Sequence, residues 1–225
     1  MFVSKSMTRK VVTIEKDANI FDAKTLMSQH RIRHLPVVES DKTLIGIITD
    51  RDLRSALPCE LIKSPDIETE KDRLSRLTVG EVMTPDPITI SPQYTIQDAL
   101  LLIQEKRVGA FPVVDEAGRL TGIISVRDLL RAFVNVLGIG EPGTLVGILV
   151  EEKVGQLKKI VDAITEEKIS FGSVLVARYW EKDKRAVFPY LLTNQVGAIK
   201  KKLQGMGYTL IDPMEWVIDQ MPQAD

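Results

Sequence analysis

A shift of 76 residues aligns the chain with itself without a gap, and no other feature constrains its fold as tightly. Met7-Thr8 meets Met83-Thr84, Pro36-Val37-Val38 meets Pro112-Val113-Val114, and Arg51-Asp52-Leu53 meets Arg127-Asp128-Leu129. From residue 3 to residue 56, 21 of 54 positions are identical between the copies, so the unit is a duplication. One copy would bury a meagre core on its own, and two copies packed sheet to sheet remove that difficulty.

Both copies carry the same local pattern. A short extended segment, Val11 to Ile14, is followed by Asp17-Ala18-Asn19, which offers N-caps. The helix after it repeats Ile20, Ala23, Leu26 and Met27 on one face, and Pro36 requires it to end near His34. Leu35 to Val38 and Leu44 to Ile48 read as buried strands around a polar turn, and a second helix runs from Thr49 and Asp50 to Ala56. Each copy is therefore expected to be β-α-β-β-α. The copies occupy residues 1–57 and 79–135, with a helical surface connection at 58–78.

Composition narrows the function. Thirty basic against 31 acidic residues leave a net charge of −1, which argues against a dedicated nucleic-acid binder. That balance conceals a difference, because residues 1–56 carry a charge of +3 and residues 79–132 a charge of −2. The single cysteine, Cys59, excludes an internal disulfide framework and a multi-cysteine zinc site. Met1 to Ser6 lacks a signal peptide's apolar core, and the longest apolar run is broken at Glu141-Pro142-Gly143. A cytoplasmic protein with no membrane partner is expected. His30 and His34 have metal-ligand spacing but no supporting ligand, and copy two replaces them with Lys106 and Ala110. With Arg31 and Arg33 they can instead face an anion or lie in a solvated loop, and the solvated loop is the favoured reading. No catalytic triad, metal cluster or Walker-type loop is present, so a non-enzyme is expected.

The Met-Thr entries, the Leu-Pro-Val-Val and Phe-Pro-Val-Val strands, and the endings Gly46-Ile47-Ile48-Thr49-Asp50-Arg51-Asp52 and Gly122-Ile123-Ile124-Ser125-Val126-Arg127-Asp128 resemble a tandem CBS-domain pair, or Bateman module, across residues 1–135. The resemblance implies adenine nucleotides or other adenosyl compounds bound as regulatory ligands in clefts between the paired domains, with no further cofactor and no metal. By that resemblance Asp52 and Asp128 hold ribose hydroxyls. Thr49 and Ser125, with amides of the helix N-terminus, meet phosphate oxygens, and Arg51 and Arg127 neutralise them. The adenine ring is expected against Val11 to Ile14 and Pro87 to Ile90. Thr49, Ser125, Asp52 and Asp128 also suit a purely structural cap, and Gly46 and Gly122 suit close strand packing.

From residue 144, after a linker at 136–143, the pattern changes. Thr144 to Val150, Ile169 to Trp180, Ala186 to Thr193 and Tyr208 to Ile211 read as strands. Helix faces lie between them at Leu157, Ile160, Val161 and Ile164, and at Val196, Ile199 and Leu203. The βαββαβ order is ferredoxin-like, and after a CBS pair it is similar to an ACT domain. Such domains carry Asp-x-Pro-Gly-x-Leu after the first strand, whereas this chain has Glu152-Lys153-Val154-Gly155-Gln156-Leu157. The glycine and leucine match, the acid is longer and the proline is absent, so a docking or dimerisation domain without a ligand stands beside an effector-binding one. The whole architecture resembles the bacterial acetoin-utilisation protein family. It implies a non-catalytic sensor, a homodimer through the CBS or ACT-like domains, that acts on an unidentified regulated protein. The alternative is a constitutive scaffold with degenerate ligand sites.

Overall fold

The computed structural model describes residues 1–57, 74, 76–181 and 183–211. The chain divides into two compact units, Met1–Ala132 and Phe133–Asp225. Cys59 and nearly all of the 58–78 connection lie outside the described residues, although Leu74 and Arg76 are helical.

In the first unit, α1 (Val3–Ser6) precedes α2 (Ile20–His30), β1 (His34–Val38), β2 (Leu44–Thr49) and α3 (Asp50–Ala56). The second copy repeats this as α4 (Val79–Val82), β3 (Thr84–Pro85), α5 (Ile96–Lys106), β4 (Ala110–Val114), β5 (Leu120–Ser125) and α6 (Val126–Leu137). Asn19 caps α2 by accepting from the Phe21 amide at 2.8 Å, as its position before the apolar face required. The helix ends at His30, one turn earlier than the proline alone demands. Arg31 turns left-handed at φ 53°, and the Ile32 amide reaches back to the Met27 carbonyl.

The expected first strand shrinks to one residue. Ile14 bridges Val37 in parallel, donating to the Pro36 carbonyl and accepting from the Val38 amide. The next bond of a parallel ladder would need an amide at Pro36, which has none, so pairing stops there. Ile90 meets Val113 in the second copy under the same restriction from Pro112. The two hairpins share a bulge at one place, Val37/Val38 and Val113/Val114, which keeps the duplicated backbones superimposable.

The copies are not self-contained. Val3 and Met7 of the first entry segment belong to the core of the second copy, with Ile90, Ile96, Phe111, Ile124 and Leu129. Val79 of the second entry segment lies in the core of the first, with Ile14, Ile20, Leu35, Val37, Ile48 and Leu53. Backbone pairing follows the exchange: Thr8 bridges Ile123, and Thr84 and Pro85 add β3 to the edge of β2. The glycines of the repeated Gly-Ile-Ile make it possible. A Cβ on Gly46 would lie 2.4 Å from the Met83 Sδ, and one on Gly122 would lie 2.5 Å from the Met7 Sδ.

The second unit comprises β6 (Thr144–Leu145), β7 (Gly147–Glu151), α7 (Gln156–Glu166), β8 (Phe171–Glu181), β9 (Lys184–Leu191), α8 (Gly197–Gly205) and β10 (Thr209–Ile211). β7 and β9 are central, β10 pairs β7, and β8 pairs β9, which is the ferredoxin-like order. The first strand is split because Val146 stands opposite Pro189. The proline carbonyl accepts from Val146, but its nitrogen returns no bond. Ile160, Ala163, Ile164, Ile199 and Leu203 cover Ile148, Val150, Val187 and Leu191. Leu157, expected on that face, is 42% exposed, and Ala163 is buried in the helix core. Lys202, from the lysine run of α8, bonds Glu166 and Glu167 at 2.9 Å each.

Because each methionine sulfur rests on a bare Cα, Gly46→Ala and Gly122→Ala are each expected to lower unfolding free energy by about 1–3 kcal/mol. Urea denaturation should also show coupling: Gly122→Ala combined with Met7→Ala should cost less than the sum of the two single changes.

Candidate functional site

The second helix of each copy opens with a capping box, and the box accounts for four of the six expected site residues. Thr49 donates its hydroxyl to Asp52 Oδ2 at 2.7 Å and its amide to the same oxygen at 2.8 Å. The Asp52 amide returns to the Thr49 hydroxyl at 3.3 Å. Ser125 and Asp128 repeat this at 2.6, 2.9 and 3.4 Å. Both structural requirements of a helix start are thus met without a ligand. In each carboxylate one oxygen is clamped and the other is presented. Asp52 Oδ1 has no hydrogen bond among the described residues, and Asp128 Oδ1 meets only Arg131, at 3.4 Å. Asp128 is the more enclosed of the two, at 9% exposure.

The two arginines of the motif separate. Arg51 is exposed on α3 and lines none of the principal clefts. Arg127 of the second copy lines a cleft of about 590 Å³ whose remaining walls belong to the first copy. Those walls are α2 with Lys24, Met27, Ser28 and Arg31, the turn at Ile32-Arg33, and α3 with Asp50, Leu53, Arg54 and Leu57. Arg31 and Arg33 therefore line a cleft, although the sequence favours a solvated loop, and His30 and His34 do not line it. Lys24 and Arg54 were not assigned from sequence. Their signal is the spacing that sets Lys24 beside Ser28 and Arg31 on α2, and Asp50 beside Leu53, Arg54 and Leu57 on α3, as facing stripes.

A second cleft, of about 660 Å³, runs along Thr89 to Tyr94 and Val114 to Ala117, ending at Arg119. It contains part of the segment expected to hold adenine in the second copy, Thr89 and Ile90. Asp52, Asp128, Thr49 and Ser125 line neither cleft.

His34 lies where the copies meet. It begins β1 opposite Thr49, and a Cβ on Gly109 of the second copy would come within 2.7 Å of its Nε2. Burial and then the neighbouring Arg33 guanidinium lower its pKa below the ordinary histidine value, and Asp52 opposes them in part. Among the described residues no group of His, Cys, Asp and Glu is arranged to hold a metal ion, and no helix is long and apolar enough to cross a membrane. In the second unit the loop after β7 holds Glu152 in an ion pair with Arg185. Gly155, at φ 92°, opens α7 without a side-chain cap.

The CBS domain family model matches residues 3–59 and 79–135, together half of the chain. The chain belongs to the CBS-domain family. A CBS domain-containing protein of Dictyostelium discoideum is 35% identical over 140 residues, 61% of this chain and 94% of that one. An inosine-5'-monophosphate dehydrogenase of Korarchaeum cryptofilum is 32% identical over 121 residues, 54% of this chain but 22% of the enzyme. The match to that enzyme thus spans about a fifth of its length. Among solved structures, CBSX2 of Arabidopsis thaliana in complex with AMP is 27% identical, covering 59% of this chain and 96% of that one at a TM-score of 0.51. A CBS domain pair in complex with 5'-methylthioadenosine and S-adenosyl-L-methionine is 26% identical over 59% of this chain and 99% of that one, at 0.50. A putative acetoin utilization protein of Vibrio cholerae is 30% identical over 63% of this chain and 98% of that one, at 0.53. Two of these solved proteins thus hold adenosyl ligands, AMP in one and 5'-methylthioadenosine with S-adenosyl-L-methionine in the other.

His34 gives this unit a pH dependence of known sign. Its folded pKa lies below the unfolded value, so between the two the unfolded chain binds more protons and stability rises with pH. Stability should fall as pH drops through the histidine range toward the depressed folded pKa. Replacing His34 with Gln should flatten that part of a stability profile measured by denaturant at successive pH values.

Proposed function

We propose that the protein is a non-catalytic sensor. An adenine nucleotide or related adenosyl compound binds the CBS clefts, and its occupancy changes how the C-terminal unit, read as an ACT-like domain, or a partner protein is presented. The observation that carries this reading is the half-engaged carboxylate of each capping box, Asp52 and Asp128. Each has one oxygen fixed by the helix start; the other oxygen of Asp52 has no hydrogen bond among the described residues, that of Asp128 meets only Arg131 at 3.4 Å, and each is proposed to accept from a ribose hydroxyl. The box fixes the rotamer before ligand arrives, which reduces the ordering cost of binding. Thr49, Ser125, Arg51 and Arg127 complete the proposed nucleotide contacts. The adenosyl ligands of the related CBS pairs support the same ligand class.

In this reading the protein is a cytoplasmic homodimer acting on a regulated protein, and its relative from Vibrio cholerae supports a link to acetoin utilisation. Any partner whose affinity changes with nucleotide must change nucleotide affinity by the same factor. The second reading is a constitutive scaffold, favoured by one observation: the capping boxes are complete without a ligand.

Asp→Asn separates the two readings, because the amide oxygen still accepts the two cap bonds while the charge is lost. Calorimetric titration with AMP, ADP, ATP and adenosyl compounds should show micromolar binding, about −8 kcal/mol. Asp52→Asn or Asp128→Asn should weaken its own site by about 1.5–3 kcal/mol with little change in thermal stability. Flat titrations with every adenine ligand would leave the scaffold.

A further inference from the structure

Resting on the nucleotide reading, we propose that the cleft between α2 and α3 is an oligophosphate-binding site. It makes a nucleoside di- or triphosphate the preferred ligand of the first copy over a monophosphate or a sulfonium-bearing adenosyl compound. Five cations, Lys24, Arg31, Arg33, Arg54 and Arg127, line this cleft against one carboxylate. That carboxylate, Asp50, is paired with Arg54 at 2.9 Å, so among the described residues the other four cations face the space without an opposing acid on the cleft wall. Forked guanidinium donors converging from three segments suit the several oxygens of a phosphate chain, and they repel a cationic ligand.

The duplication provides an internal comparison. At the positions of Lys24, Arg33 and Arg54 the second copy has Leu100, Gly109 and Leu130, and at Asp50 it has Val126; only Arg107 keeps the charge of Arg31. The shared backbone therefore does not need these cations. Arg31 is also left-handed at φ 53°, a conformation in which glycine is the usual residue, so its place in the turn is not explained by backbone preference. Arg127 comes from the other copy, so a phosphate chain in this cleft is held by both copies at once.

The test is calorimetry on the full chain with AMP, ADP, ATP, S-adenosylmethionine and inorganic triphosphate. ATP should bind at least about tenfold more tightly than AMP, with a steeper loss of affinity in salt, because charge-assisted bonds carry the difference. Arg31→Ala with Arg33→Ala should abolish that ratio while leaving AMP binding within about twofold, since both side chains are exposed and neither is among the contacts proposed for the nucleotide's first phosphate. The Arg→Lys pair should retain part of the ratio, which guards against a folding defect. Equal affinities for AMP and ATP, or a ratio unchanged in the double Ala variant, would overturn the proposal. If adenine ligands bind in an Asp52-dependent manner without regard to phosphate number, the cleft fails and the nucleotide reading stands. If inorganic triphosphate binds through Arg31 and Arg33 while adenosyl compounds do not bind, the nucleotide reading fails and the oligophosphate site stands.

Discussion

The N-terminal unit depends on an exchange of entry segments, Val3 and Met7 entering the core of the second copy and Val79 that of the first. Met7 rests on Gly122 and Met83 on Gly46, so the entry segment of each copy completes the core of the other. The duplicated unit is too small to be comfortable alone, and exchange answers this more firmly than face-to-face packing would. Neither core closes until both segments have crossed. Val3 and Val79, the first residues of the repeat, are fully buried, each in the core of the other copy.

Exchange also fixes a seam at which the copies have diverged. The backbone there is nearly symmetric, with matching bulges, and Arg31 and Arg107 both sit at φ 53°. The side chains are not. Arg33-His34 of the first copy faces a second copy that has Gly109-Ala110, and His34 occupies space that any side chain on Gly109 would fill. A pairing that tolerates no shift in position leaves composition free to vary wherever side chains point away from the core. Lys24, Arg33 and Arg54, against Leu100, Gly109 and Leu130, are part of the charge difference between the copies.

How much of this was legible in the sequence depended on whether the deciding interaction was local. The helix faces, the Asn19 cap, the hairpins and the βαββαβ order of the second unit follow from periodicity and short-range chemistry. The truncated first strands and the split of the strand at Val146 were missed as consequences, although Pro36, Pro112 and Pro189 were in view, because a proline matters only once its ladder partner is known. The exchange of entry segments was invisible for a related reason. A perfect repeat specifies equally well a core closed within each copy and one closed by its neighbour. Only the clash between a glycine-borne side chain and a methionine 37 or 115 positions away distinguishes them. At the site, Asp52, Asp128, Thr49 and Ser125 were legible because helix capping is local. Arg127 was legible as a basic residue but not as a wall of the other copy's cleft.

The capping boxes show why residue identity alone decides little here. Aspartate three positions after Thr49 or Ser125 is what a helix start asks for, with or without a nucleotide, so the motif taken by itself is compatible with a scaffold. Functional information lies where the fold makes no demand. Among the described residues no cap, core or ion pair of the first unit requires Lys24, Arg31 and Arg33 to be basic, and the second copy shows that the same backbone forms with leucine and glycine at two of these places. Concentrating like charges on one cleft wall disfavours the empty state by mutual repulsion, and a multivalent anion relieves it. A cleft of that kind supports a ligand with several phosphate oxygens more strongly than the duplicated carboxylates support any ligand at all.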